Sequence, residues 1–148
     1  QDEIDARVMY AKTYGEIRTV GFITNDKWGF TLGYSPDALV GDDGLVECKS
    51  RRNKYQVQTI VEGIVPPEFV VQIQTGLLVS ERKWMDFVSY SGGLPMFVLR
   101  CYPDIKMQEE IVDAASSFEA RMAATRAKYS YLSANLIPTE RRIYEEML

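Results

Sequence analysis

The sequence predicts a mixed α/β domain in which helices flank a small sheet. Helical and strand patterns alternate along the chain in the order α-β-β-β-α-α-β-β-α-α. The 148 residues are 46% hydrophobic and 26% charged, which is enough for a sizeable core. We therefore expect residues 1–148 to form one domain, with C-terminal helices over about 104–148.

Helical patterns are separated by capping residues and prolines. Ile4, Val8 and Ala11 have helical spacing, and Gly15 is suited to end their helix. Asn53 is expected to cap a helix that ends near Gly63. Further helices are expected after Pro66 and Pro67, over 104–129, and after Pro138. The long helix places Ile111, Ala115, Phe118 and Met122 on one face, which we expect to pack on the sheet.

Strand patterns form two groups. A meander of three strands is expected at 16–24, 30–40 and 45–50, with turns at "NDKWG" and "GDDG". Two more strands flank the turn "SGGL". Trp28, Trp84 and the nine tyrosines of the chain are interpreted as packing residues and are assigned no functional role.

Composition excludes several kinds of active site. The chain has no histidine, so neither a Ser-His pair nor a histidine zinc site is available. Cys48 and Cys101 are too few for a disulfide framework or an iron-sulfur cluster, and they fit a reducing cytoplasm. Chemistry is left to carboxylates, lysine, hydroxyl groups or a metal bound by oxygen.

Charge and termini add further expectations. The net charge of −4 gives no overall attraction to nucleic acid. No membrane segment or leader is recognised. Because the chain starts with Gln1 inside a helical pattern, an upstream N-terminal segment is expected to be missing.

The stretch "GYSPDALVGDDGLVECKS", residues 33–50, carries the clearest functional signal. Side chains alternate along a strand, so Glu47 and Lys49 share one face. A hairpin at the "GDDG" turn would return Asp37 toward Glu47. Two neighbouring carboxylates favour a cation such as Mg²⁺ or Mn²⁺, and a lysine beside it can help to activate water. Taken alone, the same residues are more often a turn aspartate and an exposed ion pair, since such short patterns recur by accident.

Four segments in order resemble the lambda exonuclease and YqaJ-like viral recombinase family of the PD-(D/E)XK nuclease superfamily. Ser35-Pro36-Asp37 followed by Glu47-Cys48-Lys49 looks like the superfamily motif. "DEIDARVMYAKTYG" is similar to the first helix of the family, and "VVQIQTGLLVS" to the helix after the motif. The resemblance covers roughly residues 2–100 and implies a restriction-endonuclease-like core.

The resemblance implies a role for each matching residue. Asp37, Glu47 and the backbone carbonyl of Cys48 would bind Mg²⁺, or Mn²⁺ in its place, and Glu3 would hold a second metal or its water. Lys49 would activate the attacking water, and Gln72 would position it. Without the family, Gln72 is more simply interpreted as a polar position on an amphipathic helix.

DNA contacts are expected from a second set of residues. Ser35 matches a family hydroxyl that holds a terminal phosphate. Arg51, Arg52 and Lys54 follow the motif strand, and they form either a phosphate-contacting patch or an ordinary solvated loop. The resemblance implies that the basic residue for the 5′ phosphate is to be expected upstream of residue 1.

The resemblance implies a Mg²⁺-dependent deoxyribonuclease of phage-type recombination. Such an enzyme digests duplex DNA ends 5′→3′ to mononucleotides and leaves a 3′ overhang. Its expected partners are a single-strand-annealing protein and two further copies in a homotrimeric ring. Two alternatives stay open: an endonuclease of the same superfamily, and a catalytically inactive DNA-binding module.

Overall fold

A four-stranded mixed sheet lies between two helices at the centre of the computed structural model, which describes residues 1–141. The strand order is β3-β4-β5-β6. Its strands are β3 (Ala38–Val40), β4 (Gly44–Ser50), β5 (Trp84–Tyr90) and β6 (Phe97–Cys101). β4 and β5 are parallel and the other neighbours are antiparallel. The mixed α/β fold expected from the sequence is confirmed.

The described part of the chain has four helices. They are α1 (Asp2–Tyr14), α2 (Asn53–Glu62), α3 (Pro67–Ser80) and α4 (Ile105–Ser133). α2 and α3 form the crossover that the parallel pair β4–β5 requires. α1 contacts β4 and β5. No described helix is long and apolar enough to cross a bilayer.

The alternation of side chains on β4 divides the core into two clusters. Leu45 packs with Ile73 and Leu77 of α3 on one face of the sheet. Val46 and Cys48 pack with Ala6 and Tyr10 of α1 on the other face, as do Ala38 and Val88. The sheet is therefore buried on both faces. The polar side chains of β4, from Glu47 to Ser50, lie in its carboxyl-terminal half.

The expected three-stranded meander is wrong. Only the end of the first predicted strand, 16–24, is regular, as part of β1 (Ile23–Asn25). β1 pairs with β2 (Leu32–Tyr34) in a separate two-stranded sheet. The predicted strand 30–40 is divided at Ser35-Pro36-Asp37 because proline has no N–H to donate to a ladder. β3 then begins at Ala38 and joins the main sheet.

Three expectations about helices also need correction. Asn53 is the first residue of α2 rather than its cap, and its Oδ1 accepts a hydrogen bond from Ser91 Oγ at 2.9 Å. α4 packs against α3 rather than the sheet, and Phe118 on its predicted apolar face is 51% exposed. Residues 138–141 are not helical, and the remainder of the expected last helix lies outside the described residues.

Candidate active site

The β3–β4 hairpin brings Asp37 and Glu47 together, as its spacing predicts. Ala38 pairs with Val46, so the residues preceding and following them, Asp37 and Glu47, face each other across the hairpin. Asp37 Oδ2 accepts a hydrogen bond of 2.7 Å from the backbone N–H of Cys48. The aspartate is therefore held by the backbone of the strand that carries the glutamate.

Glu47 is the centre of the polar cluster. It is only 3% exposed, and its Oε1 accepts hydrogen bonds from Lys49 Nζ and from Gln72 Nε2, both at 2.6 Å. Gln72 comes from α3, which covers this face of the sheet. The structure thus brings together four of the residues that the resemblance singled out.

The electrostatics of the cluster are dominated by burial. Loss of solvent raises the pKa of Glu47, while hydrogen bonds from Lys49 and Tyr34 act in the opposite direction. Burial, followed by the charges of Asp37 and Glu47, raises the pKa of the Cys48 thiol to about 12. Cys48 is therefore a neutral core residue rather than a thiolate nucleophile.

Glu3 stands apart from the two central carboxylates. It is exposed on the first turn of α1, whose start is tied to the end of β4 by a 2.9 Å bond from Ser50 Oγ to Asp2 Oδ2. The charge of Glu3 is close enough to contribute to the raised pKa of Cys48. Within residues 1–141, no three acidic or thiol side chains form a ready metal cluster.

The donor set nevertheless fits a hard divalent cation. Asp37 and Glu47 supply carboxylate oxygens. Burial is the main cause that raises the pKa of Glu47 and of Tyr34, and the charge of Asp37 adds to it in both. This concentration of negative charge is what a cation would offset. Mg²⁺ commonly takes one or two protein carboxylates and keeps several waters, so two carboxylates and a carbonyl are sufficient.

The predicted DNA-binding residues do not form one uniform patch. Arg51 is largely buried, because its guanidinium lies 5.0 Å from the ring centre of Phe69 and 5.2 Å from that of Tyr55. Its Nη1 also pairs with Glu68 Oε1 at 3.1 Å. Arg52, Lys54 and Ser35 are exposed, so they are accessible to a phosphate.

Two residues in contact with the cluster are not found by sequence reasoning. Tyr34 is 5% exposed, and its hydroxyl donates to Glu47 Oε2. Arg7 Nη1 donates to the backbone carbonyl of Asp37 at 3.3 Å. A tyrosine at the end of an apolar strand is ordinarily interpreted as a core residue, and no spacing rule links it to Glu47. Arg7 belongs to the Ala6-Arg7 pair in the segment that resembles the first helix of the family, so that resemblance could have identified it.

Comparison with known proteins agrees with this geometry. Residues 1–83 match the YqaJ-like viral recombinase domain family. The crystal structure of an alkaline exonuclease (LHK-Exo) from Laribacter hongkongensis is 34% identical, with a TM-score of 0.84 over 91% of this chain and 72% of that chain. The structure of LHK-Exo in complex with dAMP has a TM-score of 0.83 at the same identity, over 91% of this chain and 71% of that chain.

No curated protein matches the chain by sequence. The family match covers more than half of the chain, and the exonuclease match covers nearly all of it. Both comparisons support a nuclease role. The chain belongs to the YqaJ-like viral recombinase domain family.

Proposed function

We propose that this chain is a Mg²⁺-dependent exonuclease that digests duplex DNA from its 5′ ends and leaves a 3′ overhang. The observation that carries the proposal is the convergence of Asp37, Lys49 and Gln72 on Glu47. The similarity to LHK-Exo, an alkaline exonuclease, supports the choice of exonuclease over endonuclease.

Each residue has a chemical task in this proposal. Asp37, Glu47 and the Cys48 carbonyl would hold the cation, with Glu3 at the outer side of the site. A bound Mg²⁺ supplies charge neutralisation at the phosphate and makes a water more acidic. Lys49 Nζ and Gln72 Nε2 are N–H donors on the same oxygen of Glu47, so both are placed to orient a water next to it.

DNA contacts would come from the exposed groups around the cluster. Ser35 precedes the motif proline and is proposed to contact the terminal phosphate. Arg52 and Lys54 begin α2 and are proposed to contact the backbone of the duplex. Arg51 is proposed to act mainly by supporting Phe69, over which Lys49 Nζ also lies at 5.3 Å.

The test compares a linear duplex with a covalently closed circle of the same sequence. We expect the linear DNA to be digested with Mg²⁺ or Mn²⁺, the circle to survive, and EDTA to stop the reaction. Separate 5′ and 3′ labels report the polarity, and the 5′ label should be released first. Digestion in EDTA would contradict the metal requirement, and cleavage of the circle would identify an endonuclease.

Two partners complete the proposal. A single-strand-annealing protein would receive the 3′ overhang, since this strand is the product left for pairing. A homotrimeric ring would keep the enzyme on DNA despite its net charge of −4, because a closed ring needs only modest attraction. The cytoplasm of a bacterial or phage-infected cell is the proposed setting.

A further inference from the structure

Tyr34 links the small sheet to the centre of the candidate site. It is the last residue of β2 and lies three positions before Asp37. Its ring is buried against α3, where a Cβ on Gly76 would come within 2.7 Å of Tyr34 Cζ. Its hydroxyl reaches Glu47 Oε2 and lies 3.8 Å from the sulfur of Met85.

The donors around Glu47 differ in what else they can reach. Lys49 and Gln72 both donate to Oε1, and both are only partly buried. Their N–H groups can therefore donate to a water or a phosphate instead. Tyr34, which is only 5% exposed, donates to Oε2. Its hydroxyl is therefore the partner that stays on Glu47 while the other two are free to change.

We propose that Tyr34 is a positioning residue that fixes the orientation of the Glu47 carboxylate for binding a divalent cation. The inference rests on the proposed function, because it takes Glu47 as a ligand. A ligating carboxylate that is hydrogen-bonded in place binds metal more tightly than one that must be ordered on binding, and loss of such a partner commonly costs about 10–100-fold in metal affinity.

The chain contains a matched control for this effect. Tyr10 is 1% exposed, and its hydroxyl donates to another buried carboxylate, Asp86 Oδ2, at 2.6 Å. Tyr10 belongs to the cluster on the opposite face of the sheet. Tyr10→Phe and Tyr34→Phe therefore remove the same chemical group from comparable surroundings, and only the second removes it from Glu47.

The experiment measures Mn²⁺ binding by electron paramagnetic resonance in the absence of DNA. We compare the wild type, Tyr34→Phe, Tyr10→Phe and Glu47→Gln, after checking each for cooperative unfolding. We expect Tyr34→Phe to raise the Kd for Mn²⁺ by about tenfold or more. We expect Tyr10→Phe to change the Kd by less than about twofold.

Two different failures can be told apart. If the wild type does not bind Mn²⁺, or Glu47→Gln binds it equally well, the proposed function fails. If wild-type binding depends on Glu47 but Tyr34→Phe binds Mn²⁺ like the wild type, only the role of Tyr34 is overturned. An equal loss of Mn²⁺ affinity in Tyr10→Phe would also overturn the role of Tyr34, because the effect would then come from general loosening of the core.

A conservative replacement extends the test. Incorporation of 4-aminophenylalanine at position 34 keeps the shape of the ring and a weaker N–H donor at the same place. We expect its Kd for Mn²⁺ to lie between those of the wild type and Tyr34→Phe. If Tyr34→Phe does not fold, this variant alone decides the matter, and a wild-type Kd would overturn the proposal.

Discussion

At the scale of single residues, the described part of the chain contains two buried carboxylates, Glu47 and Asp86, that are stabilised in different ways. Asp86 accepts a phenol hydrogen bond from Tyr10 and two bonds from Arg100, of 2.8 and 2.9 Å. The Arg100 side chain is 45% exposed, but its guanidinium makes both bonds to Asp86 and lies 3.6 Å from the ring centre of Trp84. Glu47 instead accepts single bonds from Lys49 and Gln72, and it faces a second carboxylate, Asp37, across the hairpin.

The first residue-scale prediction concerns Lys49→Ala. If Lys49 orients the attacking water, its loss should lower kcat by about 10²–10⁴-fold. DNA binding in Ca²⁺ should survive, because the substitution leaves Asp37 and Glu47 in place. Gel-shift assays in Ca²⁺ and single-turnover kinetics in Mg²⁺ measure the two effects.

A second lysine provides the control. Lys83 is an exposed lysine paired with Asp43 at 2.9 Å, so Lys83→Ala removes an equal charge far from Glu47. Its kcat should remain near that of the wild type. If Lys49→Ala instead loses DNA binding or cooperative unfolding along with its rate, Lys49 has a structural role.

The second residue-scale prediction concerns Tyr10 and pH. Burial, helped by its hydrogen bond to Asp86, raises the pKa of Tyr10 above the ordinary value of 10.0. The unfolded chain therefore releases this proton at a lower pH than the folded chain does. The stability that comes from the neutral phenol is complete below about pH 10 and is lost as the pH rises further.

Urea unfolding at several pH values measures this contribution. Tyr10→Phe should lower the free energy of unfolding by about 1.5–3 kcal/mol at pH 8, because it removes a hydrogen bond to a charged group. Above pH 10 the difference between wild type and variant should shrink by up to about 1.4 kcal/mol per pH unit. A difference that stays constant to pH 11 would contradict this account.

At the scale of helices and strands, α3 is the element that joins the core to the site. Gln72 and Gly76 lie one turn apart on the face of α3 that covers the sheet, where Gln72 is partly buried and Gly76 is buried. A Cβ at Gly76 would come within 2.6 Å of Met85 Cε and 2.7 Å of Tyr34 Cζ. Met85 has a flexible end that can move, but the tyrosine ring is held by its bond to Glu47.

The element-scale prediction is therefore Gly76→Ala. We expect it to lower the free energy of unfolding by about 1–3 kcal/mol through overpacking. It should also weaken Mn²⁺ binding, since the displaced ring carries the donor to Glu47. Gly92→Ala is the matched control, because a Cβ on Gly92 has no neighbour within 4 Å. Unchanged Mn²⁺ affinity in a destabilised Gly76→Ala variant would contradict the coupling.

The elements also show which features were readable from the sequence. α1, α3, β4 and β5 have strong local patterns, and they were predicted close to their observed bounds. The approach of Asp37 to Glu47 followed from strand alternation and one turn. The two-stranded sheet β1–β2 and the bond from Tyr34 to Glu47 were missed, because both depend on contacts with α3 that no local pattern encodes.

At the scale of the whole molecule, α4 is unusual for the small part of its surface that it buries. It has 29 residues, and of these only Gln108 is buried, with 9% of its surface exposed. Beyond its contact with α3, the helix exposes apolar side chains, among them Phe118, Tyr129 and Leu132. Exposed apolar groups on one long helix are typical of a surface that contacts another chain.

The whole-molecule prediction is a homotrimer that digests DNA processively. Sedimentation equilibrium should give about three times the chain mass of 16.9 kDa. Digestion of one labelled long duplex should continue after excess unlabelled trap DNA is added. A monomer at working concentration, or digestion that stops with the trap, would contradict the ring.

A pair of variants asks whether α4 contributes to assembly. Leu132→Glu places a charge on the exposed end of α4, and we expect it to reduce the apparent mass. Val61→Glu is the control, because Val61 is 79% exposed on α2. Equal sedimentation of the two variants and the wild type would assign assembly to other surfaces, such as the loop around the "SGGL" turn.

The bond between Asp37 Oδ2 and the Cys48 N–H affects how a catalytically dead comparison protein should be made. The aspartate occupies the place of a backbone partner, and it marks where β3 begins. Asp37→Ala would leave a largely buried N–H without its partner, at a cost of about 1–3 kcal/mol, and would loosen the hairpin. Loss of activity in that variant would therefore combine a missing ligand with a deformed strand. Lys49→Ala, or the wild type in Ca²⁺, offers an inert reference whose backbone is intact.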